Sequence, residues 1–204
     1  MNTEFISHTG NRTHFRLFPL TPDRLDTALA LCDACVGKHM YSRQELQHAM
    51  TSPNHEFLLA VCDDGTVAGY MYHYLEALEN LPVFPKLKPE QVSHAGISPK
   101  TQIGNLQSIG ILGAYRGSGL SRFLMQTAMD SLVRHGAEAL LGVCWKIGEA
   151  IPMGKIMTEL HFSYLCDAEK FWYDNESLHC PYCGGRCNCS AAVYYKSVPK
   201  ERES

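Results

Sequence analysis

The most constraining feature of the sequence is the run Arg116-Gly-Ser-Gly-Leu-Ser121, which joins a strand-like segment to a helix-like one. The strand-like segment covers Leu106–Leu112 and the helical pattern covers Leu120–His135. Glycines permit backbone dihedral angles that a Cβ atom forbids, so several successive N–H groups can turn toward one ligand. The following helix adds unpaired N-terminal N–H groups and the positive end of its dipole. The run therefore predicts a loop that binds an anion such as a pyrophosphate, with a side-chain charge from Arg116 or Arg122.

Two common phosphate-binding motifs do not fit this loop. A P-loop needs a lysine directly after its last glycine, whereas Leu120 follows Gly119. The dinucleotide-binding fingerprint needs a third glycine or an alanine where this chain has Arg122, and it follows the first strand of its domain. Taken alone, the six residues also fit an ordinary glycine-rich turn without a ligand. The order of the surrounding elements decides between these interpretations.

Apolar periodicity, capping residues and turn residues predict seven strands and four helices. The predicted strands are His14–Leu20, Phe57–Cys62, Val67–Ala77, Leu106–Leu112, Ala139–Trp145, Phe162–Cys166 and Ala191–Val198. The predicted helices are Pro22–Cys32, Ser42–Met50, Leu120–His135 and Glu149–Leu160. The segment Leu78–Gly104 is rich in proline and too long for a passive connection, so we expect it to be a substrate lid or binding loop.

The loop and the order of elements together resemble the GCN5-related N-acetyltransferase (GNAT) superfamily. Its members hold the pyrophosphate of acetyl-CoA with the signature Gln/Arg-x-x-Gly-x-Gly/Ala; Arg116 and Gly119 match it, and Ser121 replaces the last small residue. The resemblance implies an α+β fold with a mixed, partly antiparallel, seven-stranded sheet, flanking helices and a cysteine-rich loop between the last two strands. It also implies that the fourth and fifth strands splay to admit the pantetheine arm.

The resemblance assigns cofactor-binding roles to the fourth strand and to the loop. Main-chain groups of Ile109 and Ile111 are expected to pair with the pantetheine arm of acetyl-CoA. The pyrophosphate would contact Arg116, Gly117, Ser118, Gly119, Leu120 and Ser121, while Arg122 would reach the nucleotide end.

Catalytic side chains are harder to place. Acetyl transfer needs a neutral amine, a polarised thioester carbonyl and a proton for the departing thiolate. The resemblance makes the main-chain N–H of Ile111 the candidate that polarises the carbonyl. The usual carboxylate base is missing from the fourth strand, which offers Asn105, Gln107 and Ser108, and Met157 stands where the usual tyrosine acid would be.

Several residues are candidate substitutes, each with a plain packing or solvation role as its alternative. Glu76 or His73 is the candidate base, and Tyr164 is the candidate acid. Cys144 is a conceivable acyl-accepting nucleophile, although a buried thiol of this kind more commonly serves packing. The pair Cys32 and Cys35 is interpreted as packing within the first helix and not as a redox motif.

A cluster of four cysteines is the second informative feature. Cys180, Cys183, Cys187 and Cys189 occupy ten residues, and the Cys-Pro-Tyr-Cys-Gly part resembles a zinc knuckle. We expect structural Zn²⁺ in a loop at 179–190, with His179 as a possible substitute ligand; disulfides or free thiols are the alternatives. Four thiolates leave no open position, so we expect no metal catalysis.

Charge and hydropathy narrow the function classes. A formal net charge of −3 provides no electrostatic basis for binding nucleic acid or an anionic membrane. Met1–Arg12 is polar, without the apolar core of a signal peptide, and no apolar run approaches the ~20 residues of a membrane span. We therefore expect a cytoplasmic protein with one domain over residues 1–204.

Two hypotheses about function follow. The first is an acetyl-CoA-dependent N-acetyltransferase that acetylates the amine of a small molecule or protein by direct attack in a ternary complex. The alternative is a non-catalytic acyl-CoA-binding or zinc-stabilised protein-interaction module, since the usual acid and base are missing. A homodimer that pairs through an exposed C-terminal strand is a further expectation from the resemblance.

Overall fold

The computed structural model of the chain describes residues 3–7 and 13–199. Most of the polar N-terminal segment, on which the expectation about a signal peptide rests, lies outside the described residues. The strands are β1 Glu4–Ile6, β2 His14–Pro19, β3 His55–Cys62, β4 Val67–Ala77, β5 Gln102–Ile111, β6 Ala139–Lys146, β7 Ser163–Ala168 and β8 Ser190–Ser197. The α-helices are α1 Leu25–Val36, α2 Arg43–Thr51, α3 Pro89–His94, α4 Leu120–Arg134 and α5 Gly154–Glu159.

All strands of the described residues join one sheet in the order β1-β2-β3-β4-β5-β6-β8-β7. Neighbouring strands are antiparallel except β5 and β6, which run parallel. The predicted α+β class and mixed sheet are confirmed, but the sheet has eight strands and not seven. The additional strand is β1, which pairs with β2 and is too short to show an apolar pattern.

The last strand of the chain is not an edge. β8 pairs with β6 on one side and with β7 on the other, because the connection after β7 returns the chain into the sheet. The expectation that two copies pair through an exposed C-terminal strand is therefore wrong for β8. The exposed edge at this end of the sheet is β7.

Helices cover both faces of the sheet. On one face, α4 buries Leu120, Leu124 and Ala128, which recur every four residues and form its apolar stripe, against Met71 and Leu140. Fully burying a leucine of this kind contributes roughly 1.5–3 kcal/mol. On the opposite face, α1 and α2 pack their own apolar residues over β3 and β4. We call these the α4 face and the α1 face.

The proline-rich segment between β4 and β5 extends the α1-face layer. It contains two 3₁₀ turns and α3, and Leu78, Leu81 and Val83 are buried. These residues belong to one core cluster with Leu141 and Val193 of the sheet. The segment therefore packs against the core, which argues against the substrate lid predicted at Leu78–Gly104.

Local sequence signals are reproduced where they concern short-range geometry. The Ser42 hydroxyl accepts the Glu45 backbone N–H at 3.2 Å, and the Glu45 carboxylate accepts the Ser42 N–H at 2.6 Å, which completes the capping box of α2. Gly136 ends α4 with φ +94°. The last helix, α5, is shorter than predicted. Within the described residues, no helix combines the length and apolarity needed to cross a bilayer.

Candidate active site

A cleft opens through the sheet where β5 and β6 separate. The two strands pair from Ile103 opposite Ala139 to Leu106 opposite Gly142, and they are not paired beyond that point. The resulting cleft has a volume of about 740 Å³ and is lined by both strands, the loop before α4, α5, the end of α1 and two aromatic residues after β7. The predicted splay is thus present, and it connects the α4 face with the α1 face.

A β-bulge in β5 determines which side chains reach each face. Opposite β4, Ser108 pairs with Tyr72 and Asn105 pairs with Tyr74, so two β5 residues face one β4 residue. The extra residue places Gln107 and Ser108 consecutively on the α1 face. The Gln107 amide N–H lies 3.5 Å from the Tyr41 hydroxyl, and the Ser108 hydroxyl lies 2.7 Å from that of Tyr70.

Beyond the bulge, the main chain of Ile109 and Ile111 faces the cleft. The Leu112 N–H donates to the Ala68 carbonyl at 2.9 Å, which fixes the alternation of this antiparallel pair. Ile109 and Ile111 therefore direct their N–H and C=O groups away from β4. The Ile111 carbonyl accepts a hydrogen bond from Arg116 Nε at 3.2 Å.

The predicted anion loop has the backbone that its glycines suggested. Gly117 and Gly119 adopt φ +76° and +88°, a left-handed region that favours glycine. Gly119 is the N-cap of α4 and supplies no capping side chain, and the Leu120 N–H, the first of the helix, donates to the Ser118 hydroxyl at 3.3 Å. Every predicted cofactor residue except Ser118 lines the cleft; the Ser118 hydroxyl instead donates to the Tyr115 carbonyl at 2.7 Å.

Charged side chains gather at the α4-face end of the cleft. Arg122 of α4 and Lys155 and Glu159 of α5 line it there, and Arg122 Nη1 lies 3.2 Å from Glu159 Oε2. Both residues of this ion pair are well exposed, so it contributes little to stability. Arg116 of the loop also lines the cleft. The excess of positive charge suits a ligand with several phosphates.

The α1-face end is an aromatic chamber, which we define by Tyr41, Trp145, Trp172 and Tyr182. The Trp145 and Trp172 ring centroids lie 4.8 Å apart, and those of Trp145 and Tyr182 lie 5.7 Å apart. None of these residues was recognisable as functional from the sequence. The available signals were that Trp145 ends a predicted strand and that Tyr182 lies inside the cysteine motif.

Two predicted catalytic residues do not reach the cleft. Glu76 lies at the other end of β4, opposite Ile103, and its carboxylate accepts the Ala77 N–H and the Asn80 amide, each at 2.9 Å. Tyr164 lies on the edge strand β7 with 52% of its surface exposed. Neither is among the residues that line the cleft, whereas Ile111 is.

Three sulfur-containing residues discussed in the sequence analysis, Met157, Cys144 and Cys35, do line the cleft. Met157, at the position of the usual tyrosine acid, is 1% exposed, and a thioether cannot donate a proton. Burial raises the pKa of Cys144 to about 12, so its thiol is neutral near pH 7. Cys35 was interpreted as packing, yet it also borders the cleft. Among the described residues, Glu159 is the only carboxylate that lines the cleft, and no histidine does.

The four cysteines between β7 and β8 come together. Their Sγ atoms all lie within 4.8 Å of one another, with 3.9 Å between Cys180 and Cys189 and 3.6 Å between Cys183 and Cys189. A disulfide needs about 2.05 Å, whereas tetrahedral Zn–S bonds of about 2.3 Å place sulfurs about 3.8 Å apart. The Asn188 N–H donates to Cys183 Sγ at 3.4 Å and lowers the pKa of that thiol. The donor set therefore fits a tetrahedral metal ion.

This cysteine-rich loop docks on the segment that follows α1. The His179 N–H donates to the Lys38 carbonyl at 2.9 Å, and a Cβ atom on Gly37 would lie 3.0 Å from Pro181 Cδ. Buried Cys180 and Cys187 share a cluster with Met40 and both tryptophans. The loop consequently forms one wall of the aromatic chamber.

Comparison with known proteins assigns the family. The sequence profile of the Acetyltransferase (GNAT) family matches residues 25–145, more than half of the chain. The chain belongs to the GNAT family of acetyltransferases. The matched region ends at Trp145, so the cysteine cluster of this GNAT protein lies outside it. No curated protein sequence matches the chain significantly.

Solved structures share the GNAT fold at low sequence identity. Arabidopsis thaliana NAA60 in complex with acetyl-CoA superimposes with a TM-score of 0.67 at 10% identity, over 90% of this chain and 98% of that one. The ribosomal-protein-S18-alanine N-acetyltransferase of Escherichia coli superimposes with a TM-score of 0.62 at 14% identity, over 93% of this chain and 97% of that one. A GCN5-related N-acetyltransferase from Kribbella flavida superimposes with a TM-score of 0.56 at 18% identity, over 90% of this chain and 98% of that one. At these identities the similarity concerns the fold alone.

Proposed function

We propose that this GNAT protein is an acetyl-CoA-dependent N-acetyltransferase that acetylates an amine by direct attack in a ternary complex. The observation that carries the proposal is the continuous cleft, which joins the anion loop on one face of the sheet to the aromatic chamber on the other. Donor and acceptor can then enter from opposite faces and meet at the point where β5 and β6 separate. A complex of acetyl-CoA with the similarly folded NAA60 supports the choice of donor.

The donor extends from the loop toward the end of the splay. The loop glycines and the N-terminus of α4 bind the pyrophosphate, and Arg122 and Lys155 lie at the same mouth. The pantetheine arm then runs along β5 past Ile111 and reaches Ile109, which is two residues further from the loop. The Ile109 N–H is therefore better placed than that of Ile111 to stabilise the thioester oxyanion, and Ile111 pairs with the arm.

The transfer itself requires no net acid or base. The amine nitrogen attacks the thioester carbon, the C–S bond breaks, and the proton lost by nitrogen is gained by the thiolate. The Tyr41 and Ser108 hydroxyls line the cleft on the α1 face. Desolvation raises the pKa of Tyr41, so this hydroxyl keeps its proton and acts as a hydrogen-bond donor to the reacting groups.

The cysteine cluster holds a structural zinc ion in this proposal. Cys180, Cys183, Cys187 and Cys189 supply four thiolates, and the Asn188 N–H supports one of them. A zinc ion with four protein ligands stabilises its loop and has no position for substrate. Its contribution is to hold the wall of the chamber that carries Tyr182.

Two glycines provide a matched test of acetyl-CoA binding. Gly117 and Gly65 both have positive φ, at +76° and +86°, and a Cβ atom on either would contact nothing within 4 Å. Gly117→Glu and Gly65→Glu therefore cost similar backbone strain, but only the former places a carboxylate in the anion loop. In calorimetric titrations, we expect Gly117→Glu to weaken acetyl-CoA binding at least about tenfold and Gly65→Glu to bind like the wild type.

Turnover separates the two functional hypotheses. Release of CoA from acetyl-CoA in the presence of an amine, with the acetylated amine identified by mass spectrometry, supports the transferase. Tight acetyl-CoA binding without turnover of any amine in a broad panel would instead support a non-catalytic acyl-CoA-binding module. Equal binding by wild type and Gly117→Glu would contradict the assignment of the loop.

A further inference from the structure

The aromatic chamber has an unusual combination of walls for an amine site. Val36 and Met40 contribute apolar surface beside Tyr41, while Trp145, Trp172 and Tyr182 close the other side. The charged residues that line the cleft are Arg116 of the loop, Arg122 of α4, and Lys155 and Glu159 of α5. The four residues that define the chamber are uncharged. The Arg116 guanidinium is close enough to Cys35, at the end of α1, to act on its thiol.

An uncharged chamber discriminates against a charged substrate body. A carboxylate or second ammonium group next to the reacting amine would lose water without gaining an oppositely charged partner from the residues that define the chamber, which is costly. An aromatic or branched aliphatic group would instead exchange water for ring and thioether contacts. The body of the acceptor is thus expected to be apolar.

The same walls discriminate by the basicity of the amine. The polar groups at the chamber are hydroxyls, the Gln107 amide and the indole N–H groups of Trp145 and Trp172, none of which can accept a proton from an ammonium group near pH 7. The amine must therefore arrive in its neutral form. Near pH 7.5 roughly one lysine-type amine in a thousand is neutral, against roughly one in four for an α-amino group next to an amide.

We propose that the aromatic chamber selects weakly basic primary amines whose α-carbon carries an uncharged aromatic or branched aliphatic group. The inference deepens the proposed function and rests on it. The amine can belong to a small molecule or to the first residue of a peptide, because both present the same group to the chamber.

A panel of matched acceptors tests the proposal. With acetyl-CoA saturating, we expect kcat/KM for phenylalanine amide to exceed that for alanine amide, for phenylalanine with its free carboxylate and for Nα-acetyl-lysine amide, each at least about tenfold. A peptide that begins with phenylalanine distinguishes the two sources: kcat/KM above that of the amide identifies a peptide substrate, and kcat/KM below it a small molecule. Preference for the lysine derivative or for spermidine, or no preference, would overturn the inference.

Substitution of Tyr182 tests whether the aromatic chamber itself causes the preference. The Tyr182 side chain is 49% exposed, so Tyr182→Ala should fold, and measurement of the metal content verifies that the cysteine loop is intact. We expect this variant to raise KM for phenylalanine amide about tenfold, to reduce the preference over alanine amide, and to leave the Kd for acetyl-CoA unchanged. Phe18→Ala is the control, because Phe18 is a 41% exposed ring on β2 outside the cleft.

The outcomes also separate this inference from the proposed function. Turnover of amines without the predicted preference, or an unchanged preference in Tyr182→Ala, would overturn the selectivity of the chamber and leave the transferase assignment standing. Absence of turnover with every amine, despite acetyl-CoA binding, would overturn both.

Discussion

Tyr182 packs edge-on against Trp145, with ring centroids 5.7 Å apart and ring planes at 78°. Tyr182 lies between two cysteines of the cluster, whereas Trp145 lies on β6 beside the splay. The contact couples the cysteine loop, which lies outside the matched family region, to the cleft in which we propose that acetyl transfer takes place. Disturbing the cluster should therefore affect acceptor binding before donor binding.

The first prediction concerns the metal. We expect the purified protein to contain one zinc ion per chain and Cys183→Ser to lose it, since serine is a poor zinc ligand. Cys183 is exposed, so the substitution leaves the apolar core intact. Loss of the metal should lower the melting temperature by roughly 4–8 °C, which for a chain of this size corresponds to about 2 kcal/mol. Metal analysis and thermal denaturation provide the measurements.

The same variants test which ligand depends on the cysteine loop. In Cys183→Ser we expect a higher KM for the amine and an unchanged Kd for acetyl-CoA, because the anion loop belongs to other elements. Cys35→Ser, outside the cluster, should retain its zinc. A wild-type protein that contains disulfides by mass spectrometry, and no zinc after growth with added zinc, would contradict the assignment.

A second prediction uses two glycines near the end of β5. A Cβ atom on Gly110 would lie 2.4 Å from Tyr70 Cε1 and 2.6 Å from Cys35 Cβ, whereas one on Gly113 would have open space. Tyr70 is fully buried and cannot move aside. We therefore expect Gly110→Ala to lower the free energy of unfolding by about 1–3 kcal/mol and Gly113→Ala to change it by less than about 0.5 kcal/mol. Urea denaturation would show the difference, and equal midpoints would argue against this packing.

Short-range features of the fold were predictable from the sequence because local chemistry determines them. The positive φ angles at Gly117 and Gly119 and the capping box of Ser42 and Glu45 require only neighbouring residues. The strand before the loop and the helix after it could be recognised by their apolar patterns. These signals sufficed to predict the backbone of the anion loop.

The aromatic chamber, which we propose as the acceptor site, depends on long-range geometry that sequence periodicity does not encode. Tyr41, Trp145 and Tyr182 come from three separate parts of the chain and meet only after the sheet and the cysteine loop have formed. The bulge in β5 moves Gln107 and Ser108 to the same face and breaks the alternation on which strand predictions rely. Glu76 has a suitable side chain, but its position along β4 relative to the splay could not be read from the sequence.

A third prediction distinguishes direct transfer from a covalent intermediate. The Cys144 thiol lines the cleft, but burial raises its pKa to about 12, so at pH 7.5 only about one molecule in thirty thousand has the thiolate. We expect incubation with acetyl-CoA alone to leave the intact mass of the protein unchanged and to produce no burst of CoA. Acetylated Cys144 in a tryptic digest, formed without an amine, would contradict direct attack.

The final prediction concerns the pH dependence of stability. Glu56 Oε2 lies 2.9 Å from buried His73 Nε2 and accepts the Ser131 hydroxyl at 2.8 Å, next to His135. The hydrogen bond from His73 is the main cause that lowers the pKa of Glu56. A pKa that is lowered in the folded state stabilises the protein at pH values above the pKa of the unfolded state, about 4.3. This stabilisation is lost as the pH falls through the pKa of the folded state.

The melting temperature of the wild type should therefore fall between about pH 5 and pH 3 more steeply than that of Glu56→Gln, which cannot titrate. Glu90→Gln, at an exposed site on α3, should follow the wild type; parallel curves for all three proteins would contradict this role of Glu56.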